Sequence, residues 1–245
     1  MNNYPSCVYP IAKRSLDIVL GGVLFIVSLP VVLLAALAVA LETPGNPFFV
    51  QERVGKKGKL FKIFKLRGMH IDARHRFPHL YDYAKFTDLD FYFHYEQDPR
   101  ITEVGKFLRR ASIDELPNFL NVVMGTMSLV GPRPEIPEVL ALYGAKAIQY
   151  TSVKPGVTCL SKITGRDLLT KEESVNLDLE YIERMSIMLD AKILWRTFTN
   201  VLFLRDRLPS AHGATESPLL RNGLASKEVS TQSRTSSVPV SSQTD

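Results

Sequence analysis

The chain has 245 residues, 45% of them hydrophobic, enough for one sizeable domain with appendages. A net charge of +5 and a pI of about 9.1 favour acidic partners: phosphates, an anionic membrane or nucleic acid. The two cysteines, Cys7 and Cys159, form no CxxC or Cys/His cluster, which argues against a zinc-ligand set and a disulfide framework.

Residues 18–41, IVLGGVLFIVSLPVVLLAALAVAL, carry no charge and are long enough to cross a bilayer core as a helix. Three readings compete. Lys13-Arg14 before the run and Ala38-Val39-Ala40 within it suit a signal peptide, but the apolar core is too long for one. A single spanning helix is the default. A re-entrant helix, leaving by the face it entered, is favoured by Pro30 near the middle, which frees a carbonyl and kinks the helix. It is also favoured by basic residues on both flanks: Lys13 and Arg14 before, Arg53 to Lys65 after.

Residues 48–67 read as short strands around a turn at Gly55–Gly58, with Phe61, Ile63, Lys65 and Arg67 on one side. The stretch from His75 to Gln97 is rich in aromatics and reads as an interfacial loop with one helical turn. Its histidines lack metal-ligand spacing. DPRITEVGKFLRR (98–110) leads into a basic helix that stops before ASIDELPN (111–118).

Within ASIDELPN, Ser112 and Glu115 match the S-x-x-E capping box, and acids in a first turn suit the helix dipole. Pro117 requires a helix to open nearby. GTMSLVGPRPEIP (125–137) breaks that helix, and two prolines stiffen the backbone around Arg133. KPGVT (154–158) and TGRD (164–167) read as turns. Residues 176–204 read as an amphipathic helix built on Leu189, Ile193, Trp195 and Leu202 with Lys192 and Arg196. From Pro209 the chain is Ser/Thr-rich and reads as a disordered tail. No helix-turn-helix, zinc-finger or RNA-binding signature accompanies the charge, so nucleic acid is not an expected partner.

The segments KRSLDIVLGGVLFIVSLP, QERVGKKGKLFKIFKLRGM, DPRITEVGKFLRRASIDELPN, NVVMGTMSLVGPRPE, KPGVT, GRD and LDAKIL resemble, in order, the monotopic phosphoglycosyl transferases, the bacterial sugar transferase family. The likeness covers roughly residues 12–204. It implies a mostly α fold with small β elements (α+β). Residues 1–14 would be a basic flank, 15–43 a re-entrant membrane helix, 44–207 a cytoplasmic catalytic domain with interfacial helices, and 208–245 the disordered tail. It implies a protein of the bacterial inner membrane that moves a sugar 1-phosphate from a UDP-sugar to polyprenyl phosphate, releases UMP and uses Mg2+. A homo-oligomer is compatible with this.

By the same resemblance Asp114 is the nucleophile and a metal ligand, and Glu115 is its partner in the acid pair. Lys65, Arg109, Arg133 and Asp190 are implied to bind substrate. The chain departs from the family pattern at Leu66 and Gly68. It departs again after KPGVT, where Cys159, Leu160, Ser161 and Lys162 replace the usual G-L-A-Q in a region associated with the nucleotide sugar.

Read chemically, a carboxylate can attack phosphorus and form an acyl phosphate, provided cations offset the charge of a diphosphate. Adjacent helical residues point about 100° apart, so Asp114 and Glu115 are expected to play different parts, Glu115 capping and Asp114 reacting. The reading from a different class is a catalytically silent membrane scaffold for glycan assembly.

Overall fold

In the computed structural model, the described residues are 8–83, 89, 98–165 and 168–203. The expectations for Cys7, for much of the aromatic loop, for Arg166-Asp167 and for the tail 208–245 lie outside them. The protein is mostly helical with two small sheets, as the sequence predicts.

Helix α1, Val8–Glu42, takes in Lys13 and Arg14 and continues through Pro30. Its buried positions include Asp17 near the start, and Ser28, Val32, Ala35, Ala36 and Val39, which follow helical spacing and form one stripe. The other faces expose Val19, Val23, Ile26, Val27, Leu33, Leu34, Leu37 and Leu41. So long an apolar surface suits lipid and not water.

Strands β1, Phe48–Val54, and β2, Leu60–Leu66, form the expected antiparallel hairpin, with Phe49 opposite Lys65. The loop beyond it holds a helical turn, α2 (Ala73–Arg76), and a 3-10 turn at Pro78–Tyr81. Helix α3, Glu103–Ala111, opens on Thr102, whose hydroxyl accepts from the Gly105 N–H. It lies so close to β2's end that a Cβ at Gly105 would fall 2.2 Å from Gly68 O, so only glycine fits. A 3-10 turn at Ile113–Glu115 follows, then α4, Asn118–Met124.

Strand β3, Ser128–Val130, pairs in parallel with β4, Gly156–Thr158. The KPGVT segment is therefore partly strand, not only a turn. A pattern this short carries no period to read. Between the two strands lie α5, Pro137–Ala141, and α6, Lys146–Tyr150. Helix α7, Leu160–Thr164, follows β4. The helix expected over 176–204 is two helices, α8 (Lys171–Glu183) and α9 (Ile187–Phe203), parted at Arg184–Ser186. A capping box opens α8, where Thr170 and Glu173 each bond the other's backbone.

One core joins Ile136, Val139, Tyr143, Tyr150, Val175 and Leu179; another joins Val32, Ala35, Ala36 and Val39 of α1 to Leu66 and Leu108. The membrane-type helix is thus part of the domain's own packing. Polar anchors run along it. Arg14 donates to the O atoms of Val122 and Val123 at the C-terminal end of α4, where free carbonyls favour a cation. Asp17 Oδ1 accepts from Ser128 Oγ and Leu129 N, and Glu42 Oε1 accepts from Val104 N.

Candidate active site

The acid pair sits on the 3-10 turn between α3 and α4. Ser112, at φ 53°, is in the left-handed region and closes α3, its N–H bonding back to Arg109 O and Leu108 O. The capping box expected of Ser112 and Glu115 does not form: Ser112 makes no capping hydrogen bond. Glu115 turns inward instead. Its Oε1 accepts from Lys65 Nζ at 2.9 Å and its Oε2 from Lys162 Nζ at 2.5 Å. Two desolvated ammonium groups outweigh one backbone N–H as partners for a carboxylate. Asp114 and Glu115 do lie in a first helical turn, that of the 3-10 segment, while the regular turns of α4 begin at Asn118.

The elements that carry these groups are fixed to one another. Asn118 Oδ1 accepts from Phe64 N, and Asn121 Nδ2 donates to Lys62 O, so α4 is registered against the strand that bears Lys65. Asp178, on α8 and almost wholly buried, accepts from Arg133 N at 2.9 Å, Tyr150 Oη at 3.0 Å and Ser161 N at 3.2 Å. It ties the Arg133 turn to the first turn of α7, which carries Lys162. Burial pushes the Asp178 carboxyl above its ordinary value in spite of these donors.

A small open cleft lies over this ground, lined by Arg53, Lys65, Glu115, Arg133, Val157 and Cys159 among others. Its charges act on one another. Burial would raise Glu115, but Lys162, Lys65 and then Arg133 outweigh it and hold the carboxyl well below the usual carboxylate range. Burial, then the charge of Glu115, pushes Asp114 above its ordinary value, against Lys65, Arg109 and Lys162. Burial lowers Lys65 more than Glu115 and Asp114 restore it, and Arg53 is lowered by burial with Arg133 adding to the effect. Adjacent acids in one setting are thus shifted in opposite directions, Glu115 downward and Asp114 upward.

Of the residues expected at the site, the structure brings together Asp114, Glu115, Lys65, Arg109 and Arg133. Asp190 has a different setting. It is buried where α9 meets the start of α1, accepting from Lys13 Nζ, Tyr9 Oη and Tyr181 Oη. Three residues that sequence reasoning missed are Lys162, Arg53 and Asp178. Lys162 carried a signal, since it falls where the chain leaves the expected pattern. Asp178 carried none, because one acid in a helix with several looks like any other.

An acid pair among so many cations, beside a long apolar helix, is an arrangement that suits polyanionic groups next to an apolar surface. The chain belongs to the bacterial sugar transferase family, whose model matches residues 8–204. It is 40% identical over 193 residues to the galactosyl transferase CpsE of Streptococcus agalactiae serotype III, covering 78% of this chain and 42% of that protein. It is 39% identical over 208 residues to the UDP-glucose:undecaprenyl-phosphate glucose-1-phosphate transferase of Caulobacter vibrioides, covering 81% and 72%. It is 34% identical over 201 residues to the exopolysaccharide production protein ExoY of Rhizobium meliloti, covering 79% and 87%. The chain spans less than half the length of several curated relatives that it matches.

Proposed function

We propose that this chain transfers a sugar 1-phosphate from a UDP-sugar to polyprenyl phosphate, in undecaprenyl form, as the first step of assembling a glycan or exopolysaccharide. The observation that carries the reading is the gathering of Lys65, Lys162, Arg109 and Arg133 around the acid pair Asp114–Glu115, with Lys65, Glu115 and Arg133 lining the adjacent cleft. The names of the relatives support the two substrates.

In the first half, an Asp114 carboxylate oxygen attacks the phosphorus that bears the sugar. The bond from that phosphorus to the oxygen bridging the two phosphates breaks, and UMP leaves with the electron pair. In the second half, a phosphate oxygen of the polyprenyl phosphate attacks the same phosphorus and the Asp114 carboxylate departs. The product is a polyprenyl diphosphate sugar. Arg109, Arg133 and Lys65 offset the charge that gathers on the equatorial oxygens, which is the main work of a protein in phosphoryl transfer.

A magnesium ion fits this donor set. Among the described residues no cluster of three or more His, Cys, Asp or Glu stands ready for a metal. Magnesium needs none, since it keeps several waters and is held through one or two carboxylates plus substrate phosphates. Asp114 is the carboxylate suited to hold it; Glu115 is not, with both oxygens on lysines. When bound, the ion would neutralise charge on the diphosphate.

The reading includes a re-entrant α1 in the bacterial inner membrane, with both ends and the catalytic domain on the cytoplasmic side. Supporting this, Lys13, Arg14 and Asp17 near its start and Glu42 at its end all bond the same domain. A helix that crossed the membrane would carry its two ends to opposite sides. Purified protein given UDP-glucose or UDP-galactose with magnesium and undecaprenyl phosphate should release UMP. A folded protein that releases none would leave the scaffold reading in its place.

A further inference from the structure

We propose that Lys162 is a positioning residue of this transfer: together with Lys65 it clamps both carboxylate oxygens of Glu115, and so reserves Asp114 as the acid that attacks phosphorus. The inference rests on the transfer reading above. It concerns what decides between two adjacent acids, either of which could form an acyl phosphate.

The geometry makes the choice. Glu115 meets Lys65 on one oxygen at 2.9 Å and Lys162 on the other at 2.5 Å. All three side chains are largely buried, at 21%, 11% and 16% exposure for Lys65, Lys162 and Glu115. A carboxylate with an ammonium on each oxygen has about half of its lone-pair sites committed, and its charge is drawn toward both cations. To reach phosphorus it would have to leave two charge-assisted bonds in a desolvated place, where an uncompensated charge is costly. Among the described residues no lysine forms an ion pair with Asp114 as Lys65 and Lys162 do with Glu115.

Both lysines are held by their backbones. Lys65 lies on β2, and the neighbouring Phe64 N–H is bonded to Asn118 of α4. Lys162 lies on α7 beside Ser161, whose N–H goes to the buried Asp178. The same Asp178 holds the Arg133 backbone. The clamp therefore comes from residues 50 and 47 positions away from Glu115, on elements locked to the rest of the site. The charged groups facing the pair are Lys65 from β2, Lys162 from α7, Arg133 from its turn, Arg109 from α3 and Arg53 from β1.

The test is single-turnover labelling without lipid acceptor. Parent, Lys162→Met, Lys162→Gln and Lys162→Arg are mixed with magnesium and UDP-glucose or UDP-galactose. The sugar-phosphate adduct is timed by intact mass, and its position mapped by peptide fragmentation. The parent should label Asp114 alone. The Met and Gln variants should label at least about ten-fold more slowly at saturating donor, as misplacement of a reacting group costs, with an unchanged donor requirement. In them part of the label should move to Glu115. Arginine should restore most of the rate, with the label back on Asp114. Gln is one atom shorter but keeps a donor and a polar end, so it carries the test if the Met variant fails to fold. Parent-rate labelling of Asp114 alone in a charge-free variant overturns the proposal. So does a loss seen only as a lower melting temperature or a raised donor requirement. A parent that never labels removes the transfer reading itself, a result distinct from either.

Discussion

Lys13 and Asp190 lie 177 positions apart in the chain and 2.7 Å apart in space. The pair closes α9 onto the start of α1, with Tyr9 and Tyr181 on the same carboxylate. It makes the long apolar helix a member of the folded domain and gives Asp190 a structural occupation. Lys13→Met and Asp190→Asn should each lower the melting temperature in detergent, by a loss on the order of 3 kcal/mol for a broken buried pair. The double variant should lose less than the sum of the two single losses, because the two changes share one ion pair. A raised donor requirement at unchanged stability would return Asp190 to the substrate-binding part that the family resemblance implies.

The topology can be read directly. With the native cysteines replaced, single cysteines at Pro5 and Lys56 should both resist a membrane-impermeant thiol reagent in intact cells and react after permeabilisation. Labelling of the N-terminal site alone in intact cells would establish a spanning helix.

The acid pair separates by substitution. Asp114→Asn should abolish UMP release and adduct formation while the protein remains folded, since a neutral amide is a poor attacker. Glu115→Gln should lower turnover and stability together, because it leaves two buried lysines without their counter-charge. The pH dependence follows from the depressed Glu115 carboxyl. The stability gained from its lysines is fully present above the unfolded glutamate value of about 4.3, and is lost as pH falls through the lower folded value. The melting-temperature gap between parent and Glu115→Gln should therefore narrow as pH falls below that range.

Arg133 and Asp178 form a second testable pair. Arg133→Ala should lower turnover strongly with little change in stability, if its guanidinium serves phosphate. Asp178→Asn should cost both, because Asp178 fixes the Arg133 turn and α7 at once. Near-normal turnover in a folded Arg133→Ala protein would make that arginine a turn residue only. Arg109→Ala is expected to follow Arg133→Ala.

Trp195 is the chain's one tryptophan and is exposed on α9, on a face that also presents Met188, Phe198 and Leu202. Such a face suits the headgroup boundary of a bilayer. Trp195 fluorescence should shift to the blue on reconstitution into anionic vesicles and be quenched by brominated lipid. An emission unchanged from that in water would leave this face to another occupant.

Local signals in the chain were strong and were realised. The uncharged run became α1, the period-2 pattern around Lys65 became a hairpin, and the break at Gly125 ended α4. Each rests on neighbours in sequence, through hydrophobic period or backbone restriction, and needs no distant partner. The acid pair and its arginines were likewise legible as motif residues. The partner of Glu115 was not. A capping box and a two-lysine clamp fit the same eight residues, and the choice depended on Lys65 and Lys162 arriving from elements far along the chain. Asp178 went unread and Asp190 was given to substrate by resemblance alone for the same reason: a buried carboxylate's part is set by which donors surround it, and α8 and α9 meet theirs only when the chain closes on itself. Hydrogen bonds and ion pairs in a desolvated interior are worth far more than local propensity, so the tertiary structure overrode the local reading where buried charge was at stake and left it intact elsewhere.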